Sequence, residues 1–441
     1  MTMSDKGTAN QGNNLDPWYD HYAARTSGLT ASEVRALFAV ASRPEVVSLA
    51  GGMPYVSALP RDLVVGAMDR VMRERGAVAL QYGSGQGVPA LREQILEVMA
   101  LEGISGSADD VVVTTGSQHA LELFSKLFID PGDIVLAEGP SYVTAMVIFN
   151  SFQADVDHVP MDEHGLIPQA LREHIARLKA EGRRVKFLYT VPSFHNPAGV
   201  TLSWERRLEI LEIARQNDIL VLEDNPYGLL YFGDRAPDAM RSVESEGVVY
   251  LGTFSKTLAP GFRVGWALAP HAIREKLILA NEAAVLSPSS FSQLVISQYL
   301  SDADWQGQID TFRGVYRERK ETMLAALGEY LPELSWTNPN GGFYVWLTLP
   351  ERLDSKAMLP RAVKELVAYT PGTAFYADGG GRQNIRLSFC YPTPEQIRVG
   401  IRRLATVING ELDLLDTFAG TGSLNPVRPG RTYPNPPSDL R

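Results

Sequence analysis

Cysteine is almost missing from this chain of 441 residues: Cys390 is the single one, which excludes an intrachain disulfide and a thiolate zinc cage. Histidine is scarce and scattered, seven in all. His158 and His164 sit among acids, where a solvated loop is expected rather than a metal site, so no bound metal is expected. Positive charge is not in excess either. Lys and Arg number 41 against 51 Asp and Glu, a net charge of −10 with no long basic run. That argues against a phosphate-backbone footprint and against DNA or RNA as a partner. No window reaches the ~18 uninterrupted apolar residues of a membrane span. The opening stretch MTMSDKGTANQGNNLDPWYD is polar and lacks the apolar core of a secretion signal. These absences set the expectation of a soluble, cytoplasmic protein.

The apolar material present suffices for a large core. Hydrophobic residues make up 45% and charged ones 21%, and the length allows two or three units of roughly 150 residues. No internal repeat occurs. Thr30-Ala-Ser-Glu33 ahead of Val34, Leu37 and Phe38 reads as a capping box opening a helix. Val46–Leu49 reads as a strand running into the loop Ala50-Gly51-Gly52-Met53-Pro54. From about residue 60, helical periodicity (61–74, 88–102, 117–129, 141–152, 168–180, 204–216) alternates with short apolar runs (111–113, 134–137, 185–191, 219–222, 248–251, 264–268). Such alternation predicts an α/β fold, its mostly parallel sheet covered by helices on both faces.

After Pro270 the pattern changes. Helices over 272–285, 290–302 and 305–330 precede strands at 343–349 and 385–389 and helices at 355–368 and 394–408, which is the order of a smaller α+β unit. Residues 420–441, rich in proline and arginine, cannot build a core of their own.

In an open α/β sheet, ligands bind in the crevice at the carboxyl ends of the strands, so the residues just past each strand are the candidates for chemistry. After 111–113 comes Thr114-Thr115-Gly116-Ser117-Gln118, free N–H groups and a hydroxyl at a helix start, which suits an anion. A glycine turn with a serine cap is the plainer reading. After 185–191 comes Pro192-Ser193-Phe194-His195-Asn196-Pro197, a rigid loop aiming Asn196 into the crevice. After 219–222 come Asp224 and Tyr227; after 248–251 come Ser255 and Lys256, then Arg263. Singly, Asp224 could cap a helix, Lys256 could be solvated and Arg263 could pair with a surface acid. Jointly they describe one ligand: an anion held by Ser117, Ser255 and Arg263, a ring, an acid at its far end and a lysine at its reactive carbon. Pyridoxal phosphate requires that set.

The motifs SLAGGMP (48–54), LQYGSGQGVPALRE (80–93), TTGSQHALEL (114–123), EGPSYVTA (138–145), PSFHNPAG (192–199), EDNPYG (223–228), GTFSKTLAPGFRVGW (252–266), NGGFYVW (340–346) and NIRLSF (384–389) stand in this order. With them the chain resembles pyridoxal-phosphate-dependent aminotransferases of fold type I, class I/II, in the branch of 2-aminoadipate, kynurenine and broad-specificity aromatic or leucine enzymes. The resemblance covers about residues 20–410. It implies pyridoxal 5'-phosphate as cofactor, a large cofactor-binding domain over 60–315 and a small domain over 316–410. An N-terminal arm with part of the small domain over 1–59 and a proline-rich extension over 411–441 complete the division.

The resemblance also implies roles. Lys256 matches the Schiff-base lysine that moves the proton between Cα and C4′, for which a desolvated, cation-flanked setting should lower its pKa. Asp224 matches the acid that keeps the pyridine nitrogen protonated. Asn196 and Tyr227 match the pair on the phenolic oxygen, and Tyr142 the aromatic stacked on the ring; a core tyrosine is the other reading of Tyr142. Ser117, Gln118, Ser255 and Arg263 match the phosphate cup. Arg386, a charge inside an apolar strand, matches the arginine that grips the substrate α-carboxylate. Gly52 lies in the loop that approaches the substrate. Tyr82 matches a tyrosine reaching the phosphate of the neighbouring subunit, which implies a homodimer with shared sites. Arg35 falls on the helix that, in relatives acting on dicarboxylic amino acids, reads the distal carboxylate; an exposed helical arginine is its alternative reading.

The function implied is transfer of the amino group of an α-amino acid (2-aminoadipate, aromatic or branched-chain type) to a 2-oxo acid, with 2-oxoglutarate as the expected acceptor. Met53-Pro54-Tyr55 beyond the glycine loop favours apolar or aromatic side chains. One competitor is another enzyme on the same scaffold, a C–S lyase, β-eliminase or decarboxylase. The other is a non-catalytic regulator of aminotransferase-like form. It is disfavoured because only some thirty residues precede the first matched helix.

Overall fold

The computed structural model describes residues 16–28 and 43–418. The helix expected after Thr30, Arg35 with it, and the 420–441 stretch lie outside the described residues. Strand β1 (Val47–Ser48) leads through the glycine loop to helices α1 (Arg61–Ala79) and α2 (Pro89–Ala100). Then come β2 (Val111–Thr114), α3 (Ser117–Phe128), β3 (Ile134–Gly139), α4 (Val143–Ser151), β4 (Asp155–Asp162), β5 (Gly165–Leu166), α5 (Pro168–Ala180), β6 (Val185–Thr190), α6 (Trp204–Gln216), β7 (Leu220–Asp224), β8 (Val248–Thr253) and β9 (Gly265–Leu268). Seven of these nine strands and all six helices fall close to the sequence expectation; β4 and β5 do not answer to any expected run. Where the strands are buried on both faces, their Val/Leu/Tyr runs are continuous rather than alternating.

The large sheet has the order β2-β9-β8-β7-β6-β3-β4-β5. Strands β8, β7, β6, β3 and β4 are mutually parallel, and β9 runs against both β8 and β2. From β3 the chain builds outward to β4 on one side, and from β6 to β7 and β8 on the other. The crevice therefore opens at the β3/β6 boundary.

Three helices, α7 (His271–Val285), α8 (Ser290–Asp302) and α9 (Trp305–Tyr330), lead to β10 (Ser335–Trp336) and β11 (Tyr344–Thr348). They are followed by α10 (Ser355–Lys364), β12 (Val367–Ala368), β13 (Thr370–Pro371), β14 (Asn384–Ser388) and α11 (Pro394–Phe418). An antiparallel sheet of order β10-β11-β14-β13 forms, while β12 pairs in parallel with β1 and so ties the chain start to this region. One core cluster runs from Leu91 and Val113 through Phe312 and Tyr316 to Leu404, so both sheets share apolar packing.

Three expectations are corrected. The stretch 155–162 forms β4, so His158 is not in a solvated loop. Its Nε2 accepts from the Ala377 N–H (2.8 Å), which leaves Nδ1 to donate to the Glu138 carbonyl (2.8 Å). Only Val159 of β4 is buried, and polar residues on the open side hid the strand. The helix expected over 355–368 stops at Lys364, and Val367–Ala368 pair with β1 instead. The last helix runs ten residues past 408, its outer turns tied by the Arg361–Glu411 and Arg352–Asp416 ion pairs. Among the described residues no cluster of three metal-ligating side chains occurs, and no helix is long and apolar enough to cross a membrane.

Candidate active site

A cavity of about 300 Å³ opens where the carboxyl ends of the large sheet meet the glycine loop and the small sheet. Gly116, two residues past β2, stands at φ 90°, and a Cβ there would lie 2.6 Å from Arg263 Nη2, so the turn favours glycine at that approach. The turn delivers Ser117 and Gln118 at the first positions of α3, whose free N–H groups face the cavity rim. Opposite them, the loop after β8 supplies Ser255 and Lys256, and Arg263 sits in left-handed backbone (φ 53°) before β9. Arg263 Nη2 donates to the Thr115 carbonyl (3.2 Å) and Nη1 lies 3.4 Å from Ser255 Oγ. Among the described residues no carboxylate pairs with Arg263. Two hydroxyls, a helix start and a guanidinium without a carboxylate partner among the described residues thus share one corner, an arrangement that suits phosphate.

At the other end stands Asp224, the last residue of β7, 5% exposed. Its Oδ2 accepts from the Tyr189 hydroxyl (2.8 Å), while Oδ1 is buried without a partner. Burial raises its carboxyl to about 6, against the lowering by Tyr189. A buried acid oxygen with no donor calls for one, and a protonated ring nitrogen is such a donor. Lys256 Nζ donates to the Gly52 carbonyl (3.0 Å). Its pKa is lowered chiefly by burial; Cys390 opposes this, and Arg386 and Arg263 add to it, which shifts the amine towards its neutral form. The phenol of Tyr227 is 3.4 Å from that of Tyr344 and is pushed well up by burial. Tyr142, at the start of α4, lines the cavity, its hydroxyl raised to about 12 by burial.

Arg386 occupies the middle of β14, 4% exposed, in register with Trp346 of β11 and Thr370 of β13. Nη1 donates to Asn196 Oδ1 (2.9 Å), Nη2 to the Ala50 carbonyl (2.6 Å) and to Thr370 Oγ1 (3.3 Å), and Nε has no partner. The guanidinium lies 4.3 Å from the Tyr344 ring and 4.9 Å from that of Phe375. All its partners are neutral. A buried cation so placed asks for an anion from outside the chain.

Of the residues singled out from the sequence, Ser117, Gln118, Tyr142, Asn196, Asp224, Tyr227, Ser255, Lys256, Arg263, Arg386 and Gly52 all line this one cavity. Tyr82 does not: it is 77% exposed on the surface beyond α1. Arg35 lies outside the described residues. Sequence reading missed Tyr344 and Tyr189. Tyr344 closes on the glycine loop so tightly that a Cβ at Gly52 would lie 2.0 Å from its hydroxyl. The usable signal was a phenol inside an apolar strand, since a buried tyrosine hydroxyl needs a partner.

Known proteins agree with this geometry. The family description "Aminotransferase class I and II" matches residues 48–404. An aromatic-amino-acid aminotransferase of Thermococcus litoralis is 40% identical over 89% of this chain and 95% of its own length. A 2-aminoadipate transaminase of Thermus thermophilus is 36% identical over 90% and 99%. The crystal structure of a Pyrococcus horikoshii kynurenine aminotransferase with PMP superposes with a TM-score of 0.86 at 39% identity, covering 90% of this chain and 99% of that one.

Proposed function

Since the chain belongs to the class I and II aminotransferases, enzymes that work with pyridoxal 5'-phosphate, we propose that it moves the amino group of a 2-aminoadipate-type, aromatic or branched-chain α-amino acid to a 2-oxo acid, 2-oxoglutarate being the acceptor. The observation that carries this reading is a pair of buried charges, Asp224 and Arg386, each with an unpartnered polar atom, facing one cavity that Lys256, its pKa lowered by burial, also lines.

When bound, the cofactor supplies the aldehyde that accepts the amino group and a ring that draws electron density from Cα. The chain does the rest. Ser117, Gln118, Ser255, Arg263 and the α3 N–H groups hold the phosphate. Asp224 Oδ1 would keep the proton on the ring nitrogen, Asn196 and Tyr227 would donate to the phenolic oxygen, and Tyr142 would pack against the ring. Arg386 takes the α-carboxylate of donor and acceptor, and the bare backbone at Gly52 lets that carboxylate approach. Lys256 Nζ, its pKa lowered by burial, would take the proton from Cα and return it two atoms along, on the carbon beyond the nitrogen. Arg35 reads a second carboxylate when the substrate has one.

The enzyme acts as a homodimer in the cytoplasm, with Tyr82 reaching the partner's phosphate cup. Exposed apolar side chains support the dimer: Leu63, Val65, Met68, Met72 and Val78 on α1, then Leu80 and Tyr82, are all more than a third exposed. The division into a large domain over 60–315 and a small one over 316–410 belongs to the same reading.

The test is a half-reaction screen in which the absorbance of the bound cofactor is followed with each amino acid in turn. Aromatic, branched-chain or 2-aminoadipate donors should discharge it, releasing one keto acid per amino group retained. Release of ammonia and pyruvate instead would assign the site to elimination.

A further inference from the structure

Behind the turn that carries Asp224 and Tyr227 lies an acid that amino transfer leaves unused. Glu102, two residues past the end of α2, is 2% exposed. Its Oε1 accepts from Nδ2 of Asn225 (2.6 Å), the residue next to Asp224, and its Oε2 accepts from the Tyr250 hydroxyl on β8 (2.7 Å). The Glu102 carbonyl accepts from the Ala239 N–H (2.9 Å). Gly228 makes the approach feasible, since a Cβ there would fall 1.6 Å from Glu102 Oε1. Asn225 Oδ1 is buried with no partner, so Glu102 anchors that side chain.

The charged groups facing Glu102 are Glu223 on β7 and Arg207 on α6. Glu223 is occupied by the Met240 and Arg241 N–H groups, and Arg207 by the Leu202, Pro192 and Asp238 carbonyls and the Ser193 hydroxyl. No cation comes within ion-pair distance of Glu102 among the described residues. Burial raises its carboxyl to about 8. A buried acid without a counter-charge does little for stability, and an apolar side chain would fill the place at lower cost. What only a carboxyl or its amide can do there is grip Asn225 and Tyr250 at once.

We propose that Glu102 is a positioning residue: by holding Asn225 it fixes the Asp224–Tyr227 turn, keeping Asp224 Oδ1 and the Tyr227 hydroxyl aimed at the cofactor. This rests on the cofactor roles proposed for Asp224 and Tyr227.

The experiment compares Glu102→Ala, Asn225→Ala, Glu102→Gln and the Glu102→Ala/Asn225→Ala double variant as holoenzymes, at a temperature where each is folded. It reads the pH midpoint of the bound-cofactor absorbance together with kcat and KM. Losing the Glu102–Asn225 contact should lower kcat on the order of tenfold in both alanine variants, with KM little changed. The spectral midpoint should move in both, and the double variant should be no worse than the worse single one. Glu102→Gln, which still accepts from Asn225, should recover most of kcat. If Glu102→Ala does not fold, Asn225→Ala decides alone. Parental spectra and kcat in the alanine variants, with only the melting temperature lowered, overturn the proposal. Asp224→Asn run alongside separates the layers. Its loss of function with unaffected alanine variants removes Glu102 alone, whereas a parental Asp224→Asn overturns the underlying roles as well.

Discussion

The wall that the eight-stranded sheet lends to the cavity and the wall that comes from the small sheet and the glycine loop hold their charges in different ways. On the large wall, charged and polar groups stand at strand ends and a helix start, and each is delivered by the few residues after its strand. On the small wall, Arg386 sits in mid-strand, held by neutral oxygens of Asn196, Ala50 and Thr370. Asp224 has a phenol on one oxygen and nothing on the other; Arg386 has three acceptors and a bare Nε. At Asp224 the large wall therefore waits for a cation, beside an Arg263 corner that suits phosphate, and the small wall waits for an anion at Arg386. A zwitterion of the right length, cofactor nitrogen at one end and substrate carboxylate at the other, satisfies both.

Breaking the small wall should have the larger effect. Arg386→Leu removes the anion's partner for every donor alike, at a cost on the order of 2–5 kcal/mol, or roughly 30- to 4000-fold in kcat/KM. Steady-state kinetics on an aromatic, a branched-chain and a dicarboxylic donor check it, and sparing of any one class would mean that Arg386 does not hold the shared carboxylate.

Breaking the large wall should show as a pH effect. In the proposed role Asp224 acts as a carboxylate; in cofactor-free protein burial raises its carboxyl to about 6, and a cationic ring nitrogen would draw it back down. Tyr189→Phe removes a donor that lowers it, so the acid limb of the rate profile moves to higher pH by up to about one unit, and activity well down that limb falls up to about tenfold. In cofactor-free protein the sign reverses for stability. A carboxyl raised in the fold stabilises fully below its unfolded value near 4, and that stability is lost as pH rises through about 6. Melting curves from pH 4 to 7 check this, and Asp224→Asn should flatten the trend.

Whether the cavity has a third wall, supplied by a second copy, can be read from mixed variants. Tyr82→Phe and Lys256→Ala parents mixed in equal amounts should yield hybrid dimers with one intact site, about a quarter of the parental sites overall. Activity no higher than the summed parents, after demonstrated subunit exchange, would confine each site to one chain. The smallest effect is reserved for Arg35→Gln. It should weaken 2-aminoadipate, glutamate and 2-oxoglutarate while leaving leucine and aromatic donors near parental rates. Equal effects on both classes at unchanged melting temperature would make Arg35 a surface residue.

The two walls also differ in how legible they were. The large wall could be read because its chemistry comes within a few residues of each strand end, and apolar runs mark where strands end. Asp224, Lys256 and Asn196 were placed on this basis. The small wall depends on long-range closure: Ala50 and Arg386 meet across 336 positions. Arg386 was noticed only because a charge interrupts an apolar strand. Tyr344 and Tyr189, phenols inside apolar runs, look like core until the partner of the hydroxyl is known. Strand β4 was hidden by its polar open face, and the end of α11 by ion pairs to α10 and the Arg352 loop that no local pattern announces. Tyr82 has no meaning within one chain.

The central claim is that Lys256 carries the chemistry between the two walls. Borohydride reduction of the holoenzyme, followed by proteolysis and mass mapping, tests it most directly. The account predicts the pyridoxyl mass on the peptide containing Lys256 and on no other. Label on another lysine, or none on Lys256 while the cofactor is bound, would contradict it.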